Sequence, residues 1–341
     1  MRQAFLNNPG KIEYREIEKP DPRPENVVVK IKYIGICGSD IHVFHGKHPY
    51  TSYPVVQGHE VSAEVVAVGD GVSGYKAGDR VTVMPQVFCG QCYPCRHGDY
   101  HICNNLKVMG FQTTGMASEY FETHPSTLIP LPDGVDYRHA ALIEPLAVAC
   151  HALQRAGGVN GKNVLILGAG PIGNLTAQAA KGLGANKVMI TDISDFRLQL
   201  AKECGADYVL NTKNIDLSAI ISEHFGDDKA DVILECVGAN ETIAQAILNA
   251  RKGSTIVVVG VFGSIAHVDI GLVQDRELQL VGTLMYKRDS FVEAIELIDS
   301  GKINFTGIIS AQFSFSDFEE AYRFIEQGKD KAMKVLIDME Q

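Results

Sequence analysis

Four cysteines within fifteen residues constrain this chain more than any other feature of its sequence. Cys89, Cys92, Cys95 and Cys103 have the spacing C-x2-C-x2-C-x7-C. Such short spacers let one loop place four thiolates around a tetrahedral Zn²⁺. Two disulfides are an alternative, although C-x2-C pairs strain a disulfide, and an iron–sulfur cluster also uses four cysteines. The spacing favours a structural zinc site, because four thiolates leave no open ligand position for chemistry.

The composition excludes several other classes of protein. With 341 residues, 45% of them hydrophobic and 21% charged, the chain is long enough for two globular domains. No apolar run suits a transmembrane helix, and the N-terminus lacks the pattern of a secretory signal. A net charge of −10 argues against nucleic acids and anionic membranes as partners. The other cysteines are scattered singly, which predicts a reducing, cytoplasmic location.

Two kinds of sequence pattern follow one another along the chain. The segments 27–34, 61–68 and 80–83 are β-branched and are separated by Gly, Pro and Asp, which predicts an irregular β-barrel or sandwich. From residue 163 onward, strand-like runs alternate with helical ones such as 171–183 and 194–204. The predicted strands are 163–167, 187–191, 207–210, 231–236, 255–260 and 277–282. Apolar strands with crossover helices predict a doubly wound parallel sheet.

These patterns predict two domains. The first covers 1–145 and the second covers 146–286. The remaining residues, 287–341, are expected to return to the first domain. We predict that the tail ends in an edge strand, Lys334–Asp338, because that segment is short and mostly apolar.

A glycine-rich turn follows the first strand of the second predicted domain. It reads G-x-G-x-x-G and comprises Gly168, Gly170, Pro171, Ile172 and Gly173. The first glycine allows the tight turn, the second lets the backbone approach a pyrophosphate, and the third allows close packing. The helix that starts here supplies free N–H groups for phosphates. An ordinary strand-to-helix turn is the alternative, and the strand before the motif favours dinucleotide binding.

Asp192 ends the next predicted strand, nineteen residues after Gly173, and bears on the choice of dinucleotide. Its carboxylate is placed to accept both ribose hydroxyls and would repel a 2′-phosphate, which predicts NAD over NADP. Its alternative role is to cap the following helix. Arg197 could lie along the adenosine or could be a solvated helix residue, and the pattern leaves both roles open.

Three further residues offer the ligands of a catalytic metal ion. Cys37, His59 and Glu60 carry a thiol, an imidazole and a carboxylate, which are ligand types of catalytic zinc. Taken singly, each also suits an ordinary structural position in a core or a loop. Glu144 lies at the predicted domain boundary, where spacing alone does not distinguish a helix-start charge from a site residue.

These motifs occur together in an order that resembles a known family. The sequence is similar to the zinc-dependent medium-chain alcohol and polyol dehydrogenases, which include sorbitol, butanediol and threonine dehydrogenases. The resemblance spans most of the chain. It is carried by Gly35–His42, Gly58–Glu60, Gly78–Val81, the four-cysteine loop, Glu144–Val148 and the glycine-rich turn.

The resemblance implies a GroES-like catalytic domain joined to a Rossmann domain that binds NAD. It implies that Cys37, His59 and Glu60 hold a catalytic zinc, so that each subunit carries two zinc ions. Ser39 and His42 fall at the proton-relay positions of the family. The resemblance also implies a homo-oligomer, either a tetramer or a dimer.

The expected reaction is oxidation of a secondary alcohol to a ketone with NAD. Glu144 falls where family members have either a zinc ligand or a group bonded to the zinc-bound water. Several polar residues are expected near the substrate, which favours a small polyol or sugar-acid-like molecule over an alkyl alcohol. These residues are Lys47, His48, Tyr50, Gln112, Glu144 and Tyr286. The alternatives are 2,3-butanediol or L-threonine as substrate, a zinc-less quinone-type reductase, and a non-catalytic protein that binds NAD and zinc.

Overall fold

Strands dominate the first part of the chain, and strands alternate with helices after residue 163, in a computed structural model that describes residues 1–213 and 215–341. In chain order the strands are β1 (Arg2–Phe5), β2 (Glu13–Glu16), β3 (Val27–Gly35), β4 (Glu60–Val68), β5 (Arg80–Val83), β6 (Gln86–Val87), β7 (Lys107–Val108), β8 (Tyr120–Thr123), β9 (Leu128–Pro130), β10 (Asn163–Leu167), β11 (Lys187–Asp192), β12 (Tyr208–Asn211), β13 (Val232–Glu235), β14 (Thr255–Val258), β15 (Gln279–Gly282), β16 (Ile309–Ser314) and β17 (Lys334–Asp338). The helices are α1 (Gly38–Phe44), α2 (Tyr93–Arg96), α3 (Tyr137–Ala140), α4 (Ile143–Arg155), α5 (Pro171–Gly182), α6 (Asp195–Glu203), α7 (Leu217–Phe225), α8 (Asn240–Asn249), α9 (Ile270–Asp275), α10 (Arg288–Asp299) and α11 (Phe318–Gly328). Within the described ranges, no helix has both the length and the apolar character that a membrane crossing requires.

The chain divides into two compact units. The first consists of Met1–Glu144, Lys287–Ile295 and Ile309–Gln341, and the second of Pro145–Tyr286 and Glu296–Ile308. The sequence patterns assigned all of 287–341 to the first domain, whereas Glu296–Ile308 groups with the second unit. Two contacts hold it there. Lys302 Nζ donates to the Gly182 carbonyl at 2.8 Å, and the Asn304 N–H donates to the Gln178 side chain at 2.7 Å.

The first unit is built on a sheet with the strand order β16-β17-β3-β4-β5-β9, in which β8 also pairs with β3. Val27, Val29 and Ile31 on β3 are fully buried, and burying each such side chain contributes about 1.5–3 kcal/mol. β17 lies between β16 and β3, so the prediction of an edge strand at Lys334–Asp338 was wrong. All five of its residues are buried, as expected for a strand with neighbours on both sides.

The second unit is built on a parallel sheet with the order β12-β11-β10-β13-β14-β15. Val164 to Leu167 on β10 are fully buried, which explains why this strand is a continuous apolar run. The prediction of a doubly wound parallel sheet is therefore confirmed. The strand order changes direction between β10 and β13, and sheets of this class bind ligands at the carboxyl ends of the strands at such a point.

Candidate active site

Cys37 is held at the N-cap of α1 by a buried polar network. Its backbone N–H donates to the Asp40 carboxylate at 2.9 Å, as in a capping box. Gln57 Nε2 donates to Asp40 Oδ1 at 3.1 Å, and Tyr322 Oη donates to Gln57 Oε1 at 3.0 Å. Because Asp40, Gln57 and Tyr322 are all buried, the loop that carries Cys37 is well anchored.

Cys37, His59 and Glu60 come together in the first unit. Their sulfur, nitrogen and oxygen ligand atoms all lie within 4.8 Å of one another. The antiparallel pairing of β3 with β4 causes this, because Gly35 at the end of β3 lies opposite Glu60 at the start of β4. One thiolate, one imidazole and one carboxylate suit Zn²⁺ and leave the fourth tetrahedral position for water or substrate.

The environment of His59 fits a metal ligand. His59 is buried, and its Nδ1 lies 3.6 Å from Asp40 Oδ1, with no hydrogen-bond partner in the described part of the chain. Metal-bound histidines commonly direct their other ring nitrogen to a carboxylate. Burial alone lowers the pKa of His59, but Asp40 and Cys37 outweigh it and raise the pKa well above 6.5. A metal ion bound to His59 needs the neutral imidazole, so binding of the ion would release the proton that the raised pKa retains.

Glu60 forms a buried ion pair with Lys334, which the sequence analysis did not identify. Lys334 Nζ donates to both carboxylate oxygens of Glu60 and to the Ile36 carbonyl at 3.1 Å. Burial alone lowers the pKa of Lys334, but the charges of Glu60 and Cys37 raise it above 10.5, so the ammonium stays charged. A lysine that opens a mostly apolar strand was the available sequence signal.

Ser39, His42 and Glu144 lie on two helices of this region. Ser39 and His42 are three residues apart on α1 and therefore share a helix face. Ser39 is partly buried, whereas His42 is exposed. Glu144 is 6% exposed in the first turn of α4. It lies outside the three-residue metal group, although its charge helps to raise the pKa of Lys334.

The four cysteines of the loop form a second cluster in the first unit. Cys92 Sγ lies 3.4 Å from Cys95 Sγ and 3.7 Å from Cys103 Sγ, and Cys103 Sγ lies 3.5 Å from Cys89 Sγ. A disulfide would bring two sulfurs to about 2.0 Å, whereas Zn–S bonds of about 2.3 Å place tetrahedral sulfurs roughly 3.8 Å apart. The N–H groups of Cys95 and Asn104 lower the pKa of Cys92 to about 6, whereas burial and the neighbouring thiols raise the pKa of Cys95 to about 12.

The glycine-rich turn joins β10 to α5 in the second unit. Gly168 has φ of +103°, a conformation that glycine adopts without strain. A Cβ at Gly173 would overlap the Gly168 carbonyl oxygen, so the third glycine permits close packing. Gly170 is the N-cap of α5, and Pro171 and Ile172 form its partly exposed first turn. The start of this helix can therefore receive an anionic group.

The Asp192 carboxylate accepts more hydrogen bonds from the protein than the sequence analysis expected. Its carboxylate accepts three backbone N–H groups, one of them from the glycine-rich turn. The donors are Ala169 at 2.7 Å, Ile193 at 2.8 Å and Ser194 at 2.9 Å. A carboxylate has about four acceptor positions, so about one remains for a ribose hydroxyl. Arg197 flanks the same turn, with Nη1 3.8 Å from the position that a Cβ on Gly170 would take.

Phe111 links the metal group to a polar cavity in the first unit. Its ring centroid lies 4.9 Å from that of His59 and 4.8 Å from that of His48, on which it stacks. Phe111 also lines a cavity of about 450 Å³ together with Tyr50 and Gln112. Of the residues predicted to lie near a substrate, His48 therefore stacks on a ring that packs against His59, and Tyr50 and Gln112 line the cavity that this ring borders.

Two other residues predicted to lie near a substrate have different surroundings. Lys47 is exposed in the loop after α1. Tyr286 is fully buried and belongs to the second unit. Neither is among the residues that line the cavity beside Phe111.

Both units match known protein families. Residues 23–133 match the alcohol dehydrogenase GroES-like domain, and residues 171–300 match the zinc-binding dehydrogenase domain. A sorbitol dehydrogenase of Halalkalibacterium halodurans is 38% identical over 326 residues, which cover 94% of each chain. The chain belongs to the zinc-dependent medium-chain dehydrogenase family.

Two further relatives support this assignment. A 2-dehydro-3-deoxy-L-galactonate 5-dehydrogenase of Pseudoalteromonas atlantica is 37% identical, and the match covers 93% of this chain and 92% of that protein. The crystal structure of an alcohol dehydrogenase from Escherichia coli CFT073, complexed with NADH, has a TM-score of 0.92 and 30% identity, with 99% of each chain covered. The predicted fold class, a GroES-like domain with a Rossmann domain, is therefore confirmed.

Proposed function

We propose that the chain oxidises a secondary alcohol of a polyol or sugar-acid-like substrate to a ketone, with NAD as the hydride acceptor. The observation that carries this proposal is the group of Cys37, His59 and Glu60, whose ligand atoms lie within 4.8 Å of one another and of which His59 and Glu60 are buried. The names of the relatives, which include sorbitol and deoxygalactonate dehydrogenases, point to substrates of this class. The polar cavity beside Phe111 suits a molecule with several hydroxyl groups.

The residues of the chain have distinct parts in this reaction. Zinc supplies the Lewis acidity that eases deprotonation of the alcohol, and NAD supplies the hydride acceptor. Ser39 accepts the hydroxyl proton, and His42, exposed on the same helix face, returns it to solvent. Glu144 orients the substrate hydroxyl. Lys334 balances the charge of Glu60, so that the thiolate and carboxylate ligands together do not cancel the positive charge of the site.

Two zinc ions per subunit belong to this proposal. The first lies at Cys37, His59 and Glu60, and the second lies within the four-cysteine loop, where it stabilises the fold. The sulfur separations of 3.4 to 3.7 Å in that loop support a tetrahedral ion. None of the eight cysteines forms a disulfide, which suits the cytoplasm as the proposed location.

We also propose a homo-oligomer, either a dimer or a tetramer. Exposed apolar side chains of the second unit support it, because Val261 is 90% and Ile265 is 87% exposed. β15 is the last strand of that sheet, and its Leu280 is 40% exposed. An edge strand that carries an exposed apolar side chain is suited to pairing with a second copy.

The proposed function is tested by NADH formation on a panel of alcohols. The panel contains polyols, sugar acids, 2,3-butanediol and L-threonine, each assayed with NAD and NADP. We expect turnover of a polyol or sugar acid that stops after chelation and returns with zinc, with kcat/KM at least about tenfold higher for NAD. Cys37→Ser should abolish turnover, whereas Cys204→Ser, outside both clusters, should not. Turnover by zinc-free protein would refute the metal mechanism, and a preference for butanediol or threonine would refute the substrate class.

A further inference from the structure

Glu235 is a buried carboxylate that has no part in the chemistry described above. It ends β13 and is 0% exposed. Its Oε1 accepts three hydrogen bonds, from the Val237 N–H at 2.9 Å, the Gly238 N–H at 2.8 Å and Thr242 Oγ1 at 2.7 Å. A single oxygen atom therefore holds the turn at residues 236–238 and ties it to α8.

This turn packs directly against the glycine-rich turn. A Cβ on Gly168 would lie 2.6 Å from Val237 Cγ2, so the first glycine of the motif makes room for Val237. Leu167 on β10 is the register partner of Glu235 on β13, which places both turns at the carboxyl ends of neighbouring strands. The Val237 side chain is 49% exposed. The two turns thus border the point at which sheets of this class bind dinucleotides.

A third loop encloses the carboxylate. The N–H groups of Val259 and Gly260 both donate to the Glu235 carbonyl at 2.8 Å. A Cβ on Gly260 would lie 2.7 Å from Glu235 Oε2, an atom without a hydrogen-bond partner among residues 1–213 and 215–341. Protein atoms therefore surround the Glu235 carboxylate. Any effect of Glu235 on a bound cofactor must act through the 236–238 turn.

We propose that Glu235 is a positioning residue for the dinucleotide, an inference that rests on the proposed NAD-dependent function. Asp192 lies at the end of β11, on the adenosine side of the glycine-rich turn, so the 236–238 turn borders the nicotinamide half. Loss of the Oε1 hydrogen bonds releases this turn and weakens dinucleotide binding. The preference for NAD over NADP stays unchanged, because the 2′ position is recognised at the Asp192 end.

The test is titration of NADH into the purified, zinc-loaded full chain, followed by fluorescence. Glu235→Leu should raise the Kd for NADH by about tenfold or more. The zinc content and the ratio of the Kd values for NADPH and NADH should stay unchanged. Glu235→Gln should stay within about threefold of the wild type, because its amide oxygen can occupy the Oε1 position. Asp231→Leu is the matched control. Asp231 lies just before the other end of β13 and accepts the Asn163 N–H at 2.8 Å, so this variant should lose stability but not NADH affinity.

Several outcomes would overturn the inference. These are wild-type affinity in folded Glu235→Leu, an equal loss of affinity in Asp231→Leu, and a Glu235→Gln variant as weak as Glu235→Leu. If Glu235→Leu does not fold, Glu235→Asp withdraws the carboxylate by one methylene, and wild-type affinity in that variant overturns the inference too. Failure of the wild-type chain to bind NADH would instead refute the proposed function.

Discussion

At the scale of single residues, the metal group depends on two side chains, Asp40 and Lys334, that the sequence analysis did not propose as site residues. Asp40 contacts the loops of two proposed ligands, because it accepts the Cys37 N–H and lies 3.6 Å from His59. Lys334 lies 274 positions from Glu60 in sequence, yet its ammonium donates to both carboxylate oxygens. Removing one partner of a buried ion pair leaves the other charge uncompensated, which is strongly destabilising. The support of the site is therefore open to a direct test.

We predict that Lys334→Met destabilises the zinc-free protein by about 3–5 kcal/mol, because Glu60 is left as a buried, unpaired charge. Zinc should restore part of this loss, since the ion supplies positive charge next to the same carboxylate. Urea unfolding of the protein with and without zinc measures both effects. Lys334→Arg keeps the positive charge and serves as the control. An unchanged free energy of unfolding in zinc-free Lys334→Met would show that the pair does not have this role.

At the scale of elements, sequence patterns predicted what is local and missed what depends on neighbours. The strand at 163–167 has the predicted bounds, and its residues 164–167 are all apolar because both faces of the strand are buried there. The tail strand Lys334–Asp338 was misplaced at an edge, because a five-residue pattern does not reveal how many strands flank it. For the same reason, the sequence showed the ligand types of the metal group and a lysine at the start of the tail strand, but it did not show that this lysine pairs with Glu60.

We attribute the stable conformation of the four-cysteine loop to a bound zinc ion. Cys95→Ser should lower the zinc content by one ion per subunit and lower the Tm, because binding of a structural metal contributes to folding free energy. Cys204→Ser is the control, since Cys204 lies outside both metal clusters. Metal analysis and thermal unfolding of the two variants provide the measurement. A Cys95→Ser protein with wild-type zinc content and Tm would contradict a structural zinc in this loop.

At the scale of the whole molecule, the two units carry different parts of the chemistry. The first contains the metal group, the four-cysteine loop and the cavity beside Phe111. The second contains the glycine-rich turn, Asp192 and Glu235. Variants at the metal group should therefore alter turnover with little effect on NADH affinity. Glu235 variants should weaken NADH binding with little effect on the metal group. The proposed subunit contact also belongs to the second unit.

Association through the end of the parallel sheet predicts the effect of a charge placed there. Leu280→Lys should shift the protein toward monomer, because a lysine on an edge strand opposes pairing with another edge. Light scattering at micromolar concentration measures the change. Phe324→Lys, on α11 of the first unit, replaces another exposed apolar side chain and should not change the mass. A stable wild-type monomer would refute the oligomer itself.

The most direct test of the central claim, a catalytic zinc at Cys37, His59 and Glu60, is the zinc content per subunit of two matched variants. Glu60→Gln keeps an acceptor for Lys334 but is a poor zinc ligand, and Glu144→Gln removes a carboxylate outside the three-residue group. We predict two ions in the wild type, one in Glu60→Gln, and two in Glu144→Gln with a much reduced kcat. If Glu144→Gln loses an ion while Glu60→Gln retains both, the assignment of the two carboxylates is wrong.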